Sequence, residues 1–185
     1  YGDKWADHLS DKTMYAAAGL SAILMADRRC RSEAGKIGLL YLETMLINQA
    51  ATNFSKALFR RPRPYVFAPN WASNRKVLSG DLSSMISGHT SGSAAGAFFF
   101  ARVFSDYHPD SKLKPYVWGV AATLPLVTGY LRVRAAKHYP TDVLAGYLIG
   151  AATGYLVPLM HKSIFMGQRI SVQAGGNGIG LRFKL

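Results

Sequence analysis

Residues 143–160, VLAGYLIGAATGYLVPLM, carry no charge over 18 positions, and residues 115–131 carry none over 17. Stretches of that length and texture fold as helices and sit at the lower edge of what crosses a bilayer. Three more segments read as helical: 14–26, a run of small apolar residues; 32–59, with Ile37, Leu40, Tyr41, Thr44 and Ile47 on one face; and GSAAGAFFFARVF after His89. Glu43, Asn48, Gln49 and Asn53 suit packing inside a bundle better than facing lipid. In residues 1–13, Trp5 and Leu9 stand at helical spacing. That fits an amphipathic helix lying on a surface, and fits better a plain first helix covering the core. Ala, Gly, Ser and Thr abound in every run, as close helix packing requires in either solvent. The balance favours a soluble or membrane-resting domain over a bundle fully embedded in lipid.

The expected fold class is therefore all-α, a helical bundle of about five to six helices over residues 1–168. From residue 169 the texture changes. ISVQAGGNGIGLRFKL alternates around a Gly-Gly-Asn-Gly turn, which predicts a short C-terminal β-hairpin over 169–185. Between the second and third helices, residues 61–84 hold prolines at 62, 64 and 69 and the stretch NWASNRKVLSGD. This reads as an ordered loop, and its length suggests function rather than mere connection.

The net charge is +12, which favours an anionic partner: nucleic acid, an acidic membrane surface or a phosphorylated substrate. Nucleic acid is the poorest fit, since the basic residues are scattered between apolar helices with no recognition motif. One cysteine, Cys30, excludes an intrachain disulfide and any cysteine-rich metal site. The chain opens at Tyr1 with no charged-then-apolar leader, as expected of a trimmed product.

Three stretches carry chemistry. In RVRAAKHYPTD, Pro140 fits the first turn of a helix beginning at about Tyr139, so Asp142 falls within reach of His138. A carboxylate there can accept a proton from one ring nitrogen and leave the other nucleophilic. Arg132 brings a planar fork suited to phosphate. In KALFRRPRP, Lys56 and Arg63 point two cations from a helix end, and Pro64 stops the helix. In ISGHT, Ser87, Gly88 and His89 precede a helix whose N-terminal N–H groups favour an anion. Together these place Lys56, Arg63, Arg132 and an N–H-rich turn around a tetrahedral dianion, with a histidine on either side. Nothing in the set looks like a metal cage.

The pattern KX6RP, SGH, RX5HX3D, spread over residues 56–142, resembles the phosphatidic acid phosphatase type 2 superfamily. Its members include lipid phosphate phosphatases, bacterial class A acid phosphatases and vanadium haloperoxidases. The resemblance implies that Lys56, Arg63 and Arg132 bind phosphate oxygens, with Ser87 and Gly88 completing the cradle. It implies His138 as the nucleophile that forms a phosphohistidine, Asp142 as its orienter, and His89 as the acid for the leaving group. Two positions depart from the family pattern: Ile86 where proline usually precedes Ser-Gly-His, and Leu131 where serine usually precedes the arginine.

The activity implied is metal-independent phosphomonoester hydrolysis without a cofactor, on a phosphorylated and preferably lipid-linked substrate. The setting implied is the periplasmic side of a bacterial-type cell envelope, membrane-associated or soluble. A soluble broad-specificity acid phosphatase is the main alternative. A vanadate-dependent haloperoxidase and a non-catalytic bundle binding anionic lipid stand behind it. Arg60 and Arg61 are expected to face solvent or lipid headgroups, and Tyr139 and Trp71 to pack or to line the entry.

Overall fold

The computed structural model describes residues 2–69, 76–165, 170–175 and 178–183. Five helices make the bundle: α1 (Lys4–Ala26), α2 (Ala34–Phe59), α3 (Gly88–Tyr107), α4 (Lys114–Arg134) and α5 (Pro140–Phe165). Short 3-10 turns at Arg31–Glu33, Pro64–Phe67 and Ser79–Leu82 punctuate the connections. The expected all-α class holds. Beyond α5, Ile170–Gly175 runs antiparallel to Gly178–Phe183, but 166–169, the turn at 176–177 and 184–185 lie outside the described residues. With its turn and both ends undescribed, the pairing does not establish the hairpin expected over 169–185, and the supported fold is the five-helix bundle.

Residues 1–13 and 14–26 are not two helices but one. In α1 the expected apolar pair, Trp5 and Leu9, faces outward, while the small residues Ala6, Ser10, Ala17 and Ser21 are buried. Small side chains let α1 lie close to its neighbours, and a larger inward face would hold it off. In α2 the buried stripe is Ile37, Leu40, Thr44, Asn48 and Thr52, so Asn48 faces inward and Ile47 outward. The hydroxyl of Ser91 donates to the Asn48 side chain, which gives that buried amide a partner.

The core helix is α3, whose middle is buried from Thr90 to Ala97. It packs on α5 through glycines spaced one turn apart. A Cβ at Gly146, Gly150 or Gly154 would come within 2.6, 2.1 or 2.4 Å of the carbonyl oxygens of Ser87, Ser91 and Ala95. The two backbones are therefore in contact, with no room for a side chain between them. This clasp begins at the N-terminal ends of both helices, where the Ser87 N–H donates to the Asp142 carbonyl at 3.0 Å. The SGH and HYPTD stretches are thus locked together by packing.

Candidate active site

Lys56 stands in the last turn of α2, which ends where Arg60 takes a left-handed conformation (φ 41°) and Pro62 and Pro64 forbid continuation. The chain then runs back beside 81–84. The Arg63 N–H donates to the Asp81 carbonyl at 2.8 Å and the Ser84 N–H to the Arg61 carbonyl at 3.0 Å. This pairing sets Arg63 beside Asp81 and Arg61 beside Ser84. Residues 70–75, with Trp71, lie outside the described residues.

The predicted cations converge. Lys56 feels both Arg63 and Arg132, and Arg132 feels Arg63. The Lys56 ammonium lies 3.3 Å from where a Cβ on Gly88 would be, so a side chain there would crowd the cation at the helix start. Among the described residues, the Nε atoms of Arg63 and Arg132 are buried without a hydrogen-bond partner. Leaving such a donor unsatisfied costs about 1–3 kcal/mol, so the arrangement invites an anion. A cavity of about 340 Å³ opens beside Lys56, lined by Arg60, Ser79, Leu82 and Ser83.

Ser87 is the N-cap of α3, its hydroxyl 2.9 Å from that of Thr90 and accepting from the Thr90 N–H at 3.4 Å. Its side chain is thus spent on the helix rather than pointed at a ligand. The first-turn donors left for an anion, among the described residues, are the N–H groups of Gly88 and His89.

His138 is 2% exposed. Its Nδ1 donates to the Ser84 carbonyl at 2.7 Å, which leaves Nε2 unprotonated in a ring that feels Arg132 and Arg63. The expected direct bond to Asp142 is not made: Nδ1 to Oδ2 is 3.8 Å. Asp142 instead accepts from the Ser84 hydroxyl at 2.5 Å and the Tyr139 N–H at 3.0 Å. It reaches His138 through Ser84, whose carbonyl and hydroxyl face the two. The His138 ring is held down at about 4: burial lowers it most, Arg132 and Arg63 add to that, and the Asp142 and Ser84 oxygens oppose it.

Arg61 does not face solvent or headgroups as expected. Its Nη1 donates to Asp142 at 2.6 Å and to Thr141 at 2.8 Å, and its guanidinium stacks 4.0 Å above the Tyr139 ring. Tyr139 thus supports Arg61.

Two further carboxylates escaped the motif reading. Asp7 accepts from Arg132 Nη1 at 2.6 Å and pairs with Lys137 at 3.1 Å. Asp11 Oδ1 lies 2.7 Å from His89 Nε2 and 4.0 Å from Arg132 Nη1. With Asp3, which binds Arg134 at 2.5 Å, they form an acidic stripe at four-residue spacing on α1. In a chain with 10 acidic residues, that spacing is the signal by which the sequence offers them. Among the described residues, no group of three or more His, Cys, Asp or Glu gathers to hold a metal ion.

Three comparisons bear on the family. The PAP2 superfamily model matches residues 37–165. The Lipid A 4'-phosphatase of Porphyromonas gingivalis is 28% identical over 137 residues, covering 71% of this chain and 54% of that protein. The chain thus spans about half the length of the curated relative it matches. The fold is similar to a crystal structure described as the first transmembrane PAP2 type phosphatidylglycerolphosphate phosphatase from Bacillus subtilis. That likeness has a TM-score of 0.64 at 23% identity and covers 88% of this chain and 79% of the other. With the family model spanning most of the bundle and all three motifs, this chain belongs to the PAP2 superfamily.

Proposed function

We propose that the protein is a phosphatase that hydrolyses a lipid-linked phosphate through a phosphohistidine on His138. The observation that carries the reading is the pair of buried, unpartnered guanidinium N–H groups of Arg63 and Arg132 beside an imidazole with a bare Nε2. Cationic donors with no acceptor, next to a neutral nucleophile, suit a phosphate dianion.

In the first step His138 Nε2 attacks phosphorus. The ester P–O bond breaks, its electron pair leaves with the oxygen, and that oxygen takes a proton from His89. Nδ1 keeps its own proton on the Ser84 carbonyl. In the second step His89, now neutral, takes a proton from water. The hydroxide attacks phosphorus, and the P–N pair returns to Nε2. Lys56, Arg63, Arg132 and the Gly88 and His89 N–H groups meet the charge that builds on the non-bridging oxygens, each such donor worth about 3 kcal/mol.

The lipid part of the proposal rests on the outer surface. Leu42 and Leu46 on α2, Leu126 on α4, and Leu144, Leu148 and Leu156 on α5 are all exposed. Apolar area of this extent is uncommon on a soluble monomer. Among the described residues one helix, Pro140–Lys162, is long and apolar enough to cross a membrane, and 28% of its most apolar window is buried. We therefore place the bundle in a bilayer, against the sequence-based balance toward a soluble or membrane-resting domain. The relative acting on lipid A supports a phosphorylated lipid as substrate, and the relatives found are bacterial. We put the protein in a bacterial-type cell envelope with the site on its periplasmic side. Labelling Arg60→Cys in intact spheroplasts with a membrane-impermeant thiol reagent tests that side.

The test of function compares kcat/KM for a long-chain lipid phosphate in mixed micelles with that for a small aryl phosphate, with excess EDTA present. Preference for the lipid and an acid-labile phosphoenzyme absent from His138→Ala are expected. A phosphoenzyme that persists in His138→Ala overturns the nucleophile; preference for the aryl phosphate overturns the lipid.

A further inference from the structure

His89 and Asp11 face each other across α3 and α1, 2.7 Å apart, and Asp11 lies outside the segment that the family model covers. We propose that Asp11 is a positioning residue for His89: it holds Nε2, turns Nδ1 toward the departing oxygen, and favours the protonated ring that the departing oxygen needs. The inference rests on the function proposed above, in which His89 is the leaving-group acid.

Burial disfavours a protonated His89 ring and Arg132 beside it does the same, so the ring sits below the ordinary imidazole range, with Asp11 and Asp7 opposing the shift. The charged groups that act on it are Arg132 from α4 and Asp7 and Asp11 from α1. Asp7 is held by Arg132 and Lys137, so most of its charge is met. Among the described residues, Asp11 alone makes a hydrogen bond to the imidazole. An acid that must carry a proton next to a guanidinium needs a carboxylate, and this is the one in contact.

The position of Asp11 is not an accident of a loose terminus. A Cβ on Gly96 of α3 would come within 2.9 Å of the Ala17 carbonyl, so the α1 and α3 backbones touch two turns further along. Asp7, one turn before Asp11 on the same face, is tied to α4 through Arg132 and to the segment after it through Lys137. The stretch of α1 carrying Asp11 is therefore fixed to the helices that carry His89 and Arg132. The pair is partly exposed, with side chains 29% and 45% accessible, so it contributes little to stability. Its effect falls on orientation and protonation.

A general acid matters only when the leaving group needs a proton. An alkoxide does, and p-nitrophenolate leaves without one. The experiment measures kcat/KM of the full-length protein in detergent micelles for a long-chain alkyl phosphate and for p-nitrophenyl phosphate, in wild type, Asp11→Asn, Asp11→Glu and His89→Asn. For Asp11→Asn we expect the alkyl substrate to lose about 10-fold or more, part of the 10²–10⁴ that a general acid contributes. The aryl substrate should stay within about 3-fold. The alkaline limb of the alkyl profile should move to lower pH, and Asp11→Glu should restore most of the loss. Equal losses on both substrates would make Asp11 merely structural and overturn the proposal. A lower KM with both would make Asp11 a stand-in for phosphate, displaced on binding, and would overturn it too. If His89→Asn is leaving-group selective and Asp11→Asn is not, the inference fails while the function stands. If His89→Asn is itself unselective, the acid assignment fails first and takes the inference with it.

Discussion

The Nδ1 proton of His138 goes to the backbone carbonyl of Ser84, 2.7 Å away, and the side chain of the same serine donates to Asp142 at 2.5 Å. A backbone carbonyl cannot be titrated or mutated away, so the tautomer with Nε2 bare is fixed by the fold. Asp142 acts one step further out, holding Ser84 and the start of α5 in place. His138→Ala is expected to abolish turnover with little change in thermal stability. Full activity in that variant would remove the nucleophile from the proposed mechanism.

Ser84→Ala keeps the carbonyl and removes the hydroxyl. Asp142 Oδ2 then loses one of its two hydrogen-bond donors, at a cost of about 1.5–3 kcal/mol for a bond to a charged acceptor. Activity is expected to fall far less than in His138→Ala. Chemical denaturation and kcat measured together check this; a Ser84→Ala protein as stable as wild type would contradict it.

Arg61 is the ion-pair partner of an Asp142 side chain that is fully buried. Arg61→Ala leaves that carboxylate without its cation. Breaking a fully buried pair costs about 3–5 kcal/mol, and because Arg61 is 34% accessible we expect about 2–3 kcal/mol. Arg61→Lys keeps the charge but loses the flat group that stacks on Tyr139, and should recover only part of the loss. Thermal melts of the two variants should rank Ala below Lys below wild type.

Gly150 sits where a Cβ would fall 2.1 Å from the Ser91 carbonyl and 2.8 Å from the Ala94 Cβ. Gly150→Ala must therefore push α5 away from α3. Overpacking of this kind costs about 1–3 kcal/mol. Because the same clasp aligns Ser87 with Asp142, activity should fall along with stability. Gly119→Ala, on α4 with open space around the site, serves as the control and should be neutral.

His138 takes up its proton near pH 4 in the folded protein, whereas an imidazole in the unfolded chain does so near 6.5. Between those values the unfolded chain binds the extra proton, so stability falls as pH drops from 6.5 toward 4 and is flat above 6.5. The full effect is about 3 kcal/mol. The proposed nucleophile also stays unprotonated well below neutrality. An NMR titration of ring-labelled histidine, assigned with His138→Asn, should give a midpoint near 4; a midpoint at or above 6.5 would refute the reading.

The sequence by itself determined what is local or periodic. Pro140 starts α5, the prolines at 62 and 64 follow the end of α2, Ser87 caps α3, and apolar runs of helical length set the all-α class. The three motifs named Lys56, Arg63, Arg132, His89, His138 and Asp142 because their spacing survives without coordinates. The tertiary structure alone decided who touches whom. The partner of His138 comes from 54 residues away, that of His89 from 78, that of Asp142 from 81 and that of Arg132 from 125. The direct His138–Asp142 bond was the natural expectation at four-residue spacing, but it gave way because the Ser84 carbonyl is closer to Nδ1. The physical reason is that a buried polar atom takes the best-placed partner in space. Chain separation carries no information about that once glycines have brought α3 and α5 into backbone contact.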